Sequence, residues 1–381
     1  MRPLRSFAAL LLVAATALLL VPGTALAAEV RTSDQRIDGA GGVPLDTTLY
    51  LPATTPAPAV LVAHGFGGSK ASVDTDARDL AAHGYVVLAW TARGFGASGG
   101  QIGLDDPDGE VADARKLVDW LAARPEVVLD GPGDPRVGVT GGSYGGGLSL
   151  LLAGYDKRVD AIAPVITWND LRQALFPQAA SAAPVPTDSP ARGAFGPDGV
   201  FKKGWAGTLF ATGSGRPGPG QPLACGRFAP DVCTAYTEAA TTGRMSAATA
   251  ALLERRSPAS VTDRITAPTL LVQGEQDTLF GLDQADANAR QIAAHGTPVQ
   301  VAWYAGGHDG GAPDQPVRDR VAAWFDHWLR GGADPGTPFS YAVQSGVRAG
   351  ANTPTGRTLV APAYPGLAGA ATPAELSLIH I

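Results

Sequence analysis

The run Val137-Gly138-Val139-Thr140-Gly141-Gly142-Ser143-Tyr144-Gly145-Gly146-Gly147 constrains this chain more than any other stretch. A β-branched strand ends abruptly in glycines around one serine, and an apolar helix follows, a G-x-S-x-G pattern on a strand-to-helix turn. Such a turn is strained, and neighbouring backbone passes so close that the residues two positions either side of the serine must be very small. Gly141 and Gly145 meet that need. Because a helix opens right after Ser143, the N–H of Tyr144 and the helix dipole point at the place where an oxyanion would form. In a chain with 49 glycines chance matches occur, and Gly96-Ala97-Ser98-Gly99-Gly100 is one. Several loop residues separate it from the strand expected at Tyr85–Trp90, and an acidic, proline-containing loop follows it. Ser98 therefore reads as a loop serine and Ser143 as the nucleophile.

A chain of 381 residues, 45% of them hydrophobic, can bury the core of one large α/β domain. It opens with the basic Met1-Arg2-Pro3-Leu4-Arg5, an apolar run from Phe7 to Val21 and the small residues Ala25-Leu26-Ala27. This is the pattern of a secretory signal peptide over 1–27, cut after Ala27, and the apolar run is short for a transmembrane anchor. An exported protein without a stable membrane anchor is expected. Removal of Arg2 and Arg5 takes the formal charge from −6 to −8, and with no basic run nucleic acid is an unsuitable partner. The only two cysteines, Cys225 and Cys233, lie close together, and in an exported chain they are expected to form a local disulfide. No histidine lies near them to complete a metal site, so no metal is expected there.

Along the chain, apolar runs at Ala59–Ala63, Tyr85–Trp90, Val137–Thr140, Val159–Val165, Thr269–Gln273 and Val299–Tyr304 read as strands covered on both faces. Val43–Leu51 reads as an edge strand or hairpin after a polar lead-in. Helical spacing occupies Asp74–His83, Glu110–Ala123, Asp283–Ala294 and Pro316–Leu329. Strands alternating with helices predict a mostly parallel sheet with crossovers, split into a first part at 28–167 and a second at 261–331. Between them, 168–260 carries scattered Pro, Gly, Trp and Phe with short helical pieces such as Ala247–Arg255, and reads as a cap inserted over the site. The segment 332–381 holds a strand candidate at Phe339–Gln344, and its end after Ala371 reads as that of a truncated chain.

A serine needs a base within hydrogen-bond reach and an acid to orient that base. Asp277 follows the strand ending at Gln273 and His308 follows the strand ending at Tyr304, so both fall at carboxyl ends of strands, as Ser143 does. Of the six histidines, His83 and His295 read as helix C-caps, His327 lies within the last helix, His380 lies in the tail, and His64 reads as a structural or oxyanion-loop residue. Glu275 is the alternative acid, Asp283 reads as a helix-start charge and Asp309 as a turn residue. The second oxyanion donor is assigned to the backbone N–H of Phe66, in the glycine-rich loop after the early strand. Arg93 is a candidate for pairing with a carboxylate of the Asp105-Asp106-Asp108 loop.

With Ser143, Asp277 and His308 in this order, residues 40–330 resemble the α/β-hydrolase superfamily. Within it, Gly142-Ser143-Tyr144-Gly145-Gly146 and the Arg93–Gly100 loop are similar to the X-Pro dipeptidyl-peptidase-like group, peptidase family S15, which includes the cocaine esterase type. The resemblance implies hydrolysis of esters or release of X-Pro dipeptides without a cofactor, on a small-molecule ester or short peptide, and a β-sandwich after the hydrolase domain. That group commonly supplies an oxyanion tyrosine side chain where this chain has Phe66, which leaves only a backbone donor. His64-Gly65-Phe66-Gly67-Gly68 instead resembles secreted lipases and esterases. A lipase and a non-catalytic protein of the same fold are the alternatives, whereas a nucleotide-dependent enzyme lacks its P-loop.

Overall fold

A computed structural model describes residues 30–177, 199–214, 225–347 and 354–367. The leader expected at 1–27 and the tail after Ala371 lie outside the described residues. The chain runs β1 (Arg31–Asp38), β2 (Pro44–Leu51), β3 (Ala59–Ala63), α1 (Asp74–Ala82), β4 (Val86–Trp90) and α2 (Glu110–Ala122). It continues with β5 (Val137–Gly142), α3 (Tyr144–Tyr155), β6 (Val159–Val165) and four helices of the insertion, α4 (Leu171–Leu175), α5 (Lys203–Ser214), α6 (Pro230–Thr242) and α7 (Ala247–Arg255). Then follow β7 (Thr269–Gly274), α8 (Leu282–Ala293), β8 (Val299–Tyr304), α9 (Gln315–Arg330), β9 (Phe339–Val347) and β10 (Pro354–Ala361). A small ribbon at 129–135 stands apart.

These ten strands form one sheet in the order β1-β2-β4-β3-β5-β6-β7-β8-β9-β10. From β4 to β9 neighbours are parallel, while β1, β2 and β10 are joined antiparallel. The fold is thus the α/β-hydrolase arrangement of helices on both faces of a mostly parallel sheet. One face is covered by α2, α3 and α8 through Val111, Leu117, Leu121, Leu151 and Ile292. The other is covered by α1 and α9 through Leu80, Trp324 and Phe325. Strands β3, β4 and β7 are buried along their whole length, which explains their unbroken apolar runs. The lead-in before β2 turns out to be a strand; Arg-Thr-Ser-Asp-Gln-Arg-Ile-Asp is exposed at nearly every position because β1 is an edge. The strand expected from Phe339 forms beside β8 in the main sheet, with Ser340 opposite Ala302. Phe339 packs edge-on against Trp303 at 4.9 Å.

The elbow strand β5 sits near the middle of the sheet between β3 and β6. Its glycines are dictated by contact. A Cβ on Gly141 would lie 2.5 Å from the Ala63 carbonyl oxygen, and one on Gly145 would lie 2.4 Å from the same atom. Backbone cannot retreat as a side chain can. Gly145→Ala is therefore expected to destabilise the fold by about 1–3 kcal/mol, the usual cost of overpacking, in urea unfolding. Gly204→Ala, on α5 where a Cβ meets nothing within 4 Å, should be neutral or slightly stabilising. Equal midpoints for the two variants would refute the contact argument.

Candidate active site

Ser143 stands between β5 and α3 with φ 55° and ψ −112°, a left-handed conformation that a non-glycine residue rarely takes. The neighbours hold it there. Its N–H donates to the Val165 carbonyl at 2.8 Å, and its own carbonyl accepts from the Thr167 hydroxyl at 2.9 Å. The helix opens at Tyr144, directly after the serine.

The loops after β7 and β8 bring Asp277 and His308 to this serine. His308 Nδ1 lies 2.6 Å from Asp277 Oδ2, and Nε2 lies 2.8 Å from Ser143 Oγ. A carboxylate only accepts, so Nδ1 carries the proton and Nε2 presents its lone pair to the serine hydroxyl. The Asp277 side chain is wholly buried, and its oxygens also accept from the N–H groups of Leu279, Phe280 and His308 at 3.0, 2.8 and 3.2 Å. Phe280 and Trp205 meet the imidazole edge-on at 5.3 and 5.9 Å and confine its plane.

Glu275, the alternative acid, faces elsewhere: its Oε1 accepts from the Ala342 N–H at 2.6 Å and ties β9 to the sheet. Asp309 is a loop fastener, accepting from the Thr278 N–H and hydroxyl at 2.8 and 2.6 Å. Asp283 lies in the first turn of α8. Ser98 is buried, donates to the Thr91 carbonyl at 2.6 Å and accepts from the Asp46 N–H, a structural post far from nucleophilic use. His64 is also structural. Its Nδ1 donates to the Gly65 carbonyl at 2.7 Å, its Nε2 accepts from the Ala92 N–H at 3.0 Å, and burial pushes its pKa down, so it stays neutral.

Gly65 approaches the elbow so closely that a Cβ there would meet the Gly142 carbonyl at 3.6 Å and the Ser143 Cβ at 3.8 Å. That places the Phe66 backbone beside the serine, across from Tyr144. Among the described residues neither the Phe66 nor the Tyr144 N–H donates to a protein acceptor. The half-buried Phe66 ring meets Phe95 and Tyr144 edge-on at 5.0 and 5.5 Å. Arg93 pairs with Asp113, one turn into α2, through two bonds of 2.6 Å, instead of with the 105–108 loop. Asp106 is taken by Arg256 at 2.6 Å.

A family model described as X-Pro dipeptidyl-peptidase (S15 family) matches residues 38–308. The chain belongs to that family. The monoacylglycerol lipase of Mycolicibacterium smegmatis is 36% identical over 117 residues, 30% of this chain and 39% of that one. A CocE/NonD family hydrolase from Staphylococcus aureus superposes with a TM-score of 0.59 at 15% identity, covering 88% of this chain and 56% of the other. An acetyl xylan esterase from Paenibacillus sp. R4 superposes with a TM-score of 0.51 at 21% identity, covering 79% of this chain and 84% of the other. At these identities the structural likeness is one of fold. The matched stretches span between 33% and 45% of the length of the curated relatives.

In this S15 chain the sequence left several contributors unread. Lys202 donates to the Thr278 and Leu279 carbonyls at 2.7 and 2.8 Å, and the Trp205 indole donates to the Thr278 hydroxyl at 3.0 Å. The insertion is thus fastened to the loop that carries Asp277. The disulfide between Cys225 and Cys233 forms within it. Among the described residues no cluster of three or more His, Cys, Asp or Glu side chains could hold a metal ion, and no helix is long and apolar enough to cross a membrane.

Beneath the elbow, the Tyr144 hydroxyl donates to Glu110 Oε1 at 3.0 Å and accepts from the Asp105 N–H at 3.1 Å. Glu110 also accepts from the N–H groups of Gly103 and Asp106. Burial pushes its carboxyl from 4.5 up to about 7, against the lowering by the Gly103 N–H and the Tyr144 hydroxyl. Asp105, wholly buried with neither oxygen bonded, is also pushed up, first by burial and then by the Glu110 charge. A carboxyl that binds its proton more tightly when folded stabilises the fold below its unfolded pKa. That contribution is lost as pH rises through about 7. Wild type should therefore lose more thermal stability between roughly pH 5 and pH 8 than Glu110→Gln does. Parallel Tm curves for the two proteins would overturn the assignment.

Proposed function

We propose that this protein is an exported serine hydrolase that cleaves ester bonds, or peptide bonds of the X-Pro kind, through an acyl-enzyme. The observation that carries the reading is the position of His308, bonded on one side to Asp277 at 2.6 Å and on the other to Ser143 at 2.8 Å. His308 Nε2 takes the Ser143 proton as Oγ attacks the carbonyl carbon, and the carbonyl oxygen becomes an oxyanion facing the N–H groups of Phe66 and Tyr144. As the oxyanion collapses, the bond to the leaving alcohol or amine breaks, and His308 hands that group its proton. Water then attacks the acyl-enzyme with His308 again as base, releasing the acid and restoring Ser143. Asp277 keeps its charge throughout, orients the imidazole and stabilises the imidazolium.

Export is supported by the basic and apolar leader over 1–27 and by the Cys225–Cys233 disulfide, a bond suited to an oxidising compartment. The X-Pro alternative is favoured by membership of the S15 family. A panel of X-Pro-anilides beside short-chain p-nitrophenyl esters separates the two substrates. Ser143→Ala is expected to lower kcat by about 10⁴-fold or more and to abolish labelling by a fluorophosphonate. Asp277→Asn, which leaves the imidazole in the wrong tautomer, should cost about 10⁴-fold in kcat with folding preserved. Labelling and turnover that persist in Ser143→Ala would sink the serine mechanism.

A further inference from the structure

We propose that the aromatic-walled cavity inside the insertion binds an aliphatic acyl group of a few carbons, which makes short-chain carboxylic esters the preferred substrates. This rests on the serine hydrolase reading above. The cavity, about 100 Å³, lies among α5, α6 and α7 and reaches down to Phe66. Its wall is a run of near-parallel rings: Tyr236 on Phe210 at 3.8 Å, Phe210 on Phe228 at 4.7 Å, and Phe228 on Phe66 at 5.9 Å. Aliphatic side chains such as Leu209, Leu252 and Leu253 complete it. The Thr249 hydroxyl, which also lines it, is spent on Glu238 at 3.2 Å. A recess lined this way offers water almost no polar partner, and a hydrocarbon that fills it gains dispersion contacts with the rings. Its volume is below the roughly 150 Å³ that admits benzene, which limits the occupant to a few carbons.

Geometry decides which half of the ester goes there. The leaving oxygen must take a proton from His308, so the alcohol departs on the His308 side. A separate cleft of about 430 Å³ is lined by His308, Gly142 and Ile166, with Asp76, Asp79 and Arg318 also on its wall. The cavity in the insertion touches Phe66, whose N–H faces the oxyanion, and does not touch His308. The acyl chain is left to that side.

The test measures kcat/KM for p-nitrophenyl acetate, butanoate and octanoate, and for a matched series of alkyl acetates, with each protein normalised to the sites that a fluorophosphonate labels. Each buried methylene raises kcat/KM about fourfold, so wild type should favour butanoate over acetate by roughly fifteenfold and lose that gain at octanoate. Ala235→Leu, which fills the cavity from α6, should bring the butanoate-to-acetate ratio towards one. Leu252→Ala, which widens it, should move the optimum to a longer acyl chain. Neither should alter the order of preference among the alkyl acetates. The proposal is overturned if both variants keep the wild-type acyl profile, or if the alcohol series shifts in place of the acyl series. Wild type that neither turns over any ester nor takes the label would overturn the underlying hydrolase reading instead.

Discussion

The approach of the Ala63 carbonyl to Gly141 and Gly145 is the contact on which the site depends. It lets β3 and the start of α3 press against the same few atoms of β5, and Ser143, midway between the two glycines, takes a left-handed turn there. Ser143 holds that conformation because Val165, at the end of the next strand, and Thr167, just beyond it, clamp its backbone. The strain is stored at a serine whose hydroxyl stands above a helix N-terminus. It is sustained by a sheet that is buried on both faces.

Two other strand ends complete the site, and they are coupled to the insertion. Asp277 and His308 sit on adjacent loops because β7 and β8 are parallel neighbours, with Gly274 opposite Tyr304. Thr278, Asp309, Lys202 and Trp205 lace those loops to α5. The helix that reaches His308 through Trp205 therefore also holds the Asp277 loop in place, so the imidazole and its carboxylate share one mechanical support. On the opposite side, Tyr144 is anchored by its hydroxyl to Glu110, a buried carboxyl beneath the elbow.

Much of the parallel core was legible in the chain. A strand covered on both faces must be apolar throughout, and β3, β4 and β7 announce themselves that way; so does the amphipathic spacing of α2 and α9. The edge strand β1 was not legible, since an exposed edge places no demand on its side chains. Arg93 was a candidate for pairing with a carboxylate of the neighbouring acidic loop; it pairs with a carboxylate, that of Asp113, because α2 turns that residue and not the loop aspartates toward it. The same holds for the acid. Glu275 and Asp277 are two residues apart at a strand end, and only the path of the loop aims one at His308 and the other at the β9 backbone.

The sequence by itself determined the elbow, the order Ser143, Asp277, His308 and the sheet that carries them, because strict steric and burial rules act on short stretches of chain. Only the tertiary structure decided which carboxylate meets the imidazole, what fastens the insertion and where an apolar chain can lie. Those outcomes depend on distances between residues far apart in the chain, such as the 165 positions between Ser143 and His308. The helices of the insertion could pack in many registers that satisfy the same composition. The one they take leaves a void beside Phe66.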